Sequence, residues 1–178
     1  TAQLASGDAG WLGTAHASQS DIGCFANGTV RTFSCWVKVL TTGLHNVIGR
    51  GISSNQDFVL RINGSTGAIE AYTNGVTVTL SVGEATTGVW MHLVVVADEP
   101  NNVMKLYRDG ALLSSHAWAA QWGAPHGENY LSFGTFAGSF MNGHLSNVTV
   151  HQRELTADEI LNLFRSGIAR KSLTGPID

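Results

Sequence analysis

The chain has 178 residues, of which 43% are hydrophobic and only 13% charged, and its formal net charge is -3. That length suits a single domain over residues 1–178 with a substantial core. The slight negative charge lacks the basic patch that a nucleic-acid partner needs, no apolar run is long enough to insert across a membrane, and no basic-then-apolar signal sequence opens the chain.

Charged residues fall well below the usual share of about 25%. Polar surface must therefore come from Ser, Thr, Asn and Gly, a composition suited to neutral partners. Gly is abundant at 21 and Pro scarce at 3, and short alternating runs separated by turn residues mark an all-β chain. The polar ends, 1–10 and 170–178, read as short arms.

In chain order, Thr32 to Leu40 is the first predicted strand, with Phe33, Cys35, Val37 and Val39 on one face and Ser34, Trp36 and Lys38 on the other. Phe58 to Ile62 is the next, ended by Asn63-Gly64. Ala68 to Thr73 and Val76 to Leu80 flank Asn74-Gly75, a hairpin signal because both turn positions tolerate positive φ. His92 to Ala97 carries a continuous apolar run, expected of a central strand buried on both faces. Met104 to Tyr107 and Ala111 to Ser115 flank Asp109-Gly110, a second hairpin of the same kind. Tyr130 to Gly134 and His144 to His151 complete the strands.

One helix follows. Thr156 precedes Glu159 by three residues, the spacing of a reciprocal capping box. Ile160, Leu163 and Phe164 form an apolar stripe, and Ser166-Gly167 predicts the C-terminal stop. The two cysteines, Cys24 and Cys35, are too few for a disulfide scaffold or a zinc cluster. Cys35 alternates with core residues and is expected there as a small apolar side chain; a Cys24–Cys35 bridge across adjacent strands is the alternative.

Four pieces, in this order and spacing, carry a resemblance: Phe33-Ser-Cys-Trp-Val-Lys38, Trp90-Met-His92 leading into a β run, Leu106-Tyr-Arg-Asp-Gly110, and Gly143-His-Leu-Ser-Asn-Val148 followed by Leu155-Thr-Ala-Asp-Glu-Ile160. Over about residues 30 to 166 the chain resembles the laminin-G-like, concanavalin-A-like jelly-roll superfamily. The resemblance implies two packed antiparallel sheets in a sandwich with one short C-terminal helix, and a frequent role in glycan or protein binding. In this family an acidic residue often precedes the position of Val148. Here Asn147 stands there, with Ser146 before it, which weakens transfer of a family calcium site.

Glycosidases need two carboxyl groups flanking one bond, about 5 Å apart in retaining enzymes. No Glu-x-Asp-x-x-Glu arrangement occurs. Asp98-Glu99 reads as turn chemistry, and Asp158-Glu159 as capping and helix-dipole chemistry. The seven histidines, His16, His45, His92, His116, His126, His144 and His151, show no zinc-ligand spacing on a helix, and no nucleophile elbow or phosphate loop is present. Calcium is the one metal left open. Asp98 and Asp57, near loop edges, are its candidate ligands, set against simple turn carboxylates. Asn-x-Ser/Thr triplets stand at Asn27, Asn63 and Asn147, relevant only to a protein secreted by a eukaryote.

The strongest functional signal is the segment from His116 to Tyr130. It holds Trp118, Trp122, His126 and Asn129 in a connection bearing Gly and Pro. Flat aromatic faces beside hydrogen-bonding groups suit sugar rings, and long ordered loops carry function. The other two readings are a mini-core of tryptophans tucked against the sandwich and an anchor for a neighbouring subunit. The sequence thus points to a non-catalytic, lectin-like module that binds carbohydrate. The alternative is a structural component of a larger assembly, such as a virus-particle decoration or tail/fibre protein. Expected partners are a glycan or other protein subunits, including a homo-oligomer. The expected location is extracellular, at the cell surface or on a virion.

Overall fold

The computed structural model describes residues 2–4, 29–52, 55–63, 65–73, 76–81, 85–117, 131–136 and 139–173. The strands, in chain order, begin with β1 (Ala2–Leu4), β2 (Val30–Val39), β3 (Leu44–Ile52), β4 (Asn55–Asn63), β5 (Ala68–Thr73) and β6 (Val76–Ser81). β7 (Met91–Asp98), β8 (Val103–Arg108), β9 (Ala111–Ala117), β10 (Leu131–Phe133), β11 (Thr135–Phe136), β12 (Ser139–Phe140) and β13 (Gly143–His151) follow, and α1 (Ala157–Leu173) closes the described chain. One sheet has the order β1-β13-β2-β7-β8-β9 and the other β10-β3-β4-β5-β6, with β11 and β12 as a separate short pair. Every pairing is antiparallel. This is the expected jelly-roll sandwich.

The inner faces meet as the period of two dictates. Phe33, Cys35, Val37 and Val39 of β2 and Met91, Leu93, Val95 and Ala97 of β7 face Val47, Ile48, Phe58, Leu60, Ile62 and Ile69 of the five-stranded sheet. Phe33 and Phe58 stack across the interface with ring centroids 4.6 Å apart. Cys35 is a free thiol with no exposed surface. Burial pushes its pKa up to about 12, so it packs as an apolar residue.

β7 is buried on both faces, as its apolar run predicts. Its outward Val94 and Val96 form a second cluster with Tyr107, Leu155 and Ile160 beneath α1. Burying one such aliphatic side chain is worth roughly 1.5–3 kcal/mol, enough to dock a helix of modest amphipathicity. The N-terminus of α1 is capped reciprocally: Glu159 N donates to Thr156 Oγ1 at 3.3 Å, and Thr156 N donates to Glu159 Oε2 at 2.8 Å. Arg153 clasps the same carboxylate with both terminal nitrogens, at 2.8 and 2.6 Å. Its guanidinium first, and the Thr156 amide second, hold the Glu159 carboxyl down at about 2.

One expectation is corrected by the structure. The helix does not stop at Ser166-Gly167 but continues to Leu173, so part of the expected C-terminal arm is helical. Gly167 is there for packing: a Cβ on it would lie 2.2 Å from Trp36 Nε1. At the N-terminus, Ala2–Leu4 forms an edge strand on β13, with Gln3 opposite His144. The Asp109-Gly110 hairpin holds: both residues have positive φ, 52° and 82°, as a two-residue primed turn requires. The Asn74-Gly75 turn lies outside the described residues, although β5 and β6 pair as expected.

Candidate functional site

The segment carrying Trp118, Trp122, His126 and Asn129 lies outside the described residues. Its flanks are described. β9 ends at Ala117 on the outer edge of the six-stranded sheet, and β10 starts at Leu131 on the edge of the five-stranded sheet. β9 packs beside β6, at the end of its sheet opposite β10. The described strands thus deliver the two ends of this segment to opposite sides of the sandwich.

Asp98, one of the two calcium candidates, ends β7 and is almost fully buried. Its Oδ1 accepts the Asn101 amide at 3.1 Å and its Oδ2 accepts Asn101 Nδ2 at 2.8 Å. Both carboxylate oxygens thus close the turn into β8. Asp57 lies on β4 of the other sheet, and its side chain is outside the described residues. Several other described acids are engaged in structure. Glu70 pairs with Arg61, Glu154 with Lys105 at 2.6 Å, and Glu159 with Arg153. Asp109 Oδ1 accepts the backbone amide of His92 at 2.9 Å, which ties the β8–β9 turn to β7. Among the described residues no group of three or more His, Cys, Asp or Glu is placed to hold a metal ion.

The structure assembles a different group of polar side chains on the outer face of the six-stranded sheet. Ser34 and Trp36 of β2 and His92 of β7 form the floor of a groove of about 220 Å³. Asn147 and Thr149 of β13 make one wall, and Leu163 and Ser166 of α1 the other. Local structure shapes each side. Between Ser146 and Thr149, β13 carries one residue more than β2 opposite, a bulge, and Asn147 takes φ 51° in it. Asn tolerates this left-handed conformation better than most residues, so the bulge turns Asn147 outward and restores the inward phase for Val148 and Val150. On the helix side, Gly167 lets the Trp36 indole pass beneath α1, where it stacks on Phe164 at 5.7 Å and meets His92 at a tilt, with ring centroids 5.3 Å apart.

The imidazole of His92 is 1% exposed. Its Nε2 shares a hydrogen bond of 2.9 Å with Ser34 Oγ, and its Nδ1 has no partner. Burial drives its pKa down to about 4, against a smaller opposing pull from Asp109, so the ring is neutral at pH 7. Sequence reasoning placed Ser34 and Trp36 together on the outward face of one strand but assigned the groove no role. A large aromatic on an outward strand face, with a glycine inside a helical stripe, was the available signal.

A laminin-G-type family model, described as the Concanavalin A-like lectin/glucanases superfamily, matches residues 12–161. The chain belongs to this superfamily. Among curated proteins no sequence match was found. Solved structures similar in fold include the CBM40 of the Ruminococcus gnavus IT-sialidase bound to alpha2,3 sialyllactose, at 19% identity and TM-score 0.64, covering 85% of this chain and 91% of that one. A native heptameric SAP-like pentraxin from Limulus polyphemus aligns at 15% identity and TM-score 0.62, over 78% of this chain and 72% of that one. The receptor binding domain of botulinum neurotoxin mosaic serotype C/D aligns at 18% identity and TM-score 0.64; the match covers 85% of this chain but only 39% of the toxin domain. At these identities the likeness establishes the jelly-roll fold. No helix among the described residues is long and apolar enough to cross a membrane.

Proposed function

We propose that the protein is a single-domain, non-catalytic, lectin-like module that binds carbohydrate, with Trp118, Trp122, His126 and Asn129 supplying the principal contacts. The observation that carries this reading is the fold match to a sialyllactose-bound CBM40 over 91% of that module's length. A sugar-bound module of similar extent is thus built on the same sandwich. The residues support it from two sides. The described carboxylates that have partners are spent on turns, ion pairs and a helix cap. The aromatic and hydrogen-bonding residues a sugar face needs are concentrated between β9 and β10. The low charge fits a neutral ligand, and the site of action is extracellular, at a cell surface or on a virion.

Affinity electrophoresis through gels carrying soluble polysaccharides tests the assignment. The wild-type protein is retarded by at least one polysaccharide, and Trp122→Ala runs as in the sugar-free gel. Equal retardation of the two would remove Trp122 from the site.

A second reading, a structural subunit of a larger assembly such as a virus-particle decoration or tail/fibre protein, draws on the low charge and on the heptameric pentraxin among the similar structures. Light scattering separates the two: a stable oligomer that dissociates when residues 1–10 or 170–178 are removed favours assembly, and a monomer indifferent to truncation favours the free-standing module.

A further inference from the structure

We infer that the groove between β13 and α1 is a second binding site, distinct from the 116–130 segment, and that it takes one small, neutral, polyhydroxylated ring, such as a single sugar unit or a cyclic polyol. The chemistry of the lining selects this class. Among the described residues that line the groove there is no Asp, Glu, Lys or Arg, and His92 is held neutral by burial, so this lining carries no formal charge of its own. Asn147 and Thr149 stand exposed on the strand wall; Asn147 Oδ1 accepts from Ser146 Oγ at 3.5 Å and Thr149 Oγ1 shares a hydrogen bond of 3.1 Å with His151 Nε2, and the Asn147 amide and the Thr149 hydroxyl each keep further hydrogen-bonding capacity. Facing them, Leu163 supplies apolar surface, with the edge of the Trp36 indole in the floor below. A ligand that satisfies both walls has a polar rim and an apolar face, the description of a pyranose or an inositol.

Size narrows the class. The groove, at about 220 Å³, is smaller than the roughly 300 Å³ at which pockets begin to hold drug-sized ligands, so it fits one ring and not a chain of them. The floor is preorganised to hydrogen-bond. A serine hydroxyl offers one donor and two acceptor lone pairs, and Ser34 Oγ uses one of these positions on His92 Nε2. Its remaining capacity is open to a ligand hydroxyl. The buried Nδ1 of the same imidazole lacks a partner, so the ring can exchange tautomers with little loss. Ser34 can therefore present either its proton or a lone pair to the groove. A floor that switches between donor and acceptor suits hydroxyl groups, which are both.

The test follows the indole N–H resonance of Trp36 in proton–nitrogen correlation spectra while D-glucose, D-galactose, N-acetyl-D-glucosamine and myo-inositol are added singly. At least one should shift that resonance saturably in the millimolar range. Ser166→Leu fills the groove from an exposed helix position, and Thr149→Val removes a wall hydroxyl without changing volume. Each should weaken the response at least tenfold while the rest of the spectrum, and hence the fold, is preserved. Trp122→Ala should leave the Trp36 response intact, which separates this site from the principal one whether or not the latter binds glycan. No saturable shift with any of the four probes, or an undiminished shift in Ser166→Leu, would overturn the inference.

Discussion

In a helix interior, replacing Gly by Ala ordinarily stabilises by about 1 kcal/mol, because Gly loses the most backbone entropy on folding. Gly167 should behave in the opposite way. Its added Cβ would lie 2.2, 2.5 and 2.6 Å from Nε1, Cε2 and Cζ2 of Trp36, well inside contact distance. The indole has little room to retreat: Trp36 is 4% exposed and packed between Phe164 and His92. Overpacking of this kind costs about 1–3 kcal/mol or more. Set against the propensity gain, the upper half of that range leaves Gly167→Ala net destabilising by about 1–2 kcal/mol. For a chain of this size that lowers Tm by roughly 2–8 °C. Calorimetry or urea unfolding measures it, with Ser166→Ala, one residue away and exposed, as the control expected to be neutral or slightly stabilising. A Gly167→Ala protein as stable as wild type or more so would refute the packing of α1 on Trp36.

Other outcomes follow from the same packing. His92 has a folded pKa of about 4, below the unfolded value near 6.5, so protons bind the unfolded chain first. The stability its neutrality contributes is complete above about pH 6.5 and is lost as pH falls toward 4, approaching roughly 3 kcal/mol relative to a non-titrating residue. The difference in urea stability between wild type and His92→Gln should therefore shrink or reverse across that window; a pH-independent difference would contradict it. Phe58→Ala removes one ring of the stacked pair that joins the sheets and should cost about 3–5 kcal/mol, read as a fall in the urea midpoint at unchanged m-value. In a Cys24→Ser background, Cys35, with its thiol at about 12, should resist a thiol-modifying reagent in native buffer and react fully in guanidinium chloride.

Strands with clean alternation or continuous apolar runs, β2, β7 and β8, were legible because burial on one or both faces leaves its period in the sequence. β3 was not. Leu44-His-Asn-Val-Ile-Gly-Arg-Gly-Ile mixes polar residues and glycines, and its pairing with β4 slips between Asn46 and Ile48, so five consecutive residues, His45 to Gly49, are buried. The helix start was legible from the capping box. Its end was misread because Gly167 looks like a stop, while the reason for it, the Trp36 indole, is 131 positions away in the sequence. The outer-face groove escaped for the same reason: its floor, strand wall and helix wall come from β2, β7, β13 and α1, and no local pattern joins them.

The most direct test of the binding assignment is an array of immobilised glycans probed with the intact protein and with the Trp118→Ala/Trp122→Ala double variant. Binding to a chemically related set of glycans, lost in the variant while its thermal unfolding is unchanged, is the expected result. An array with no glycan above background for the wild-type protein would contradict a carbohydrate-binding role and leave assembly as the function of this sandwich.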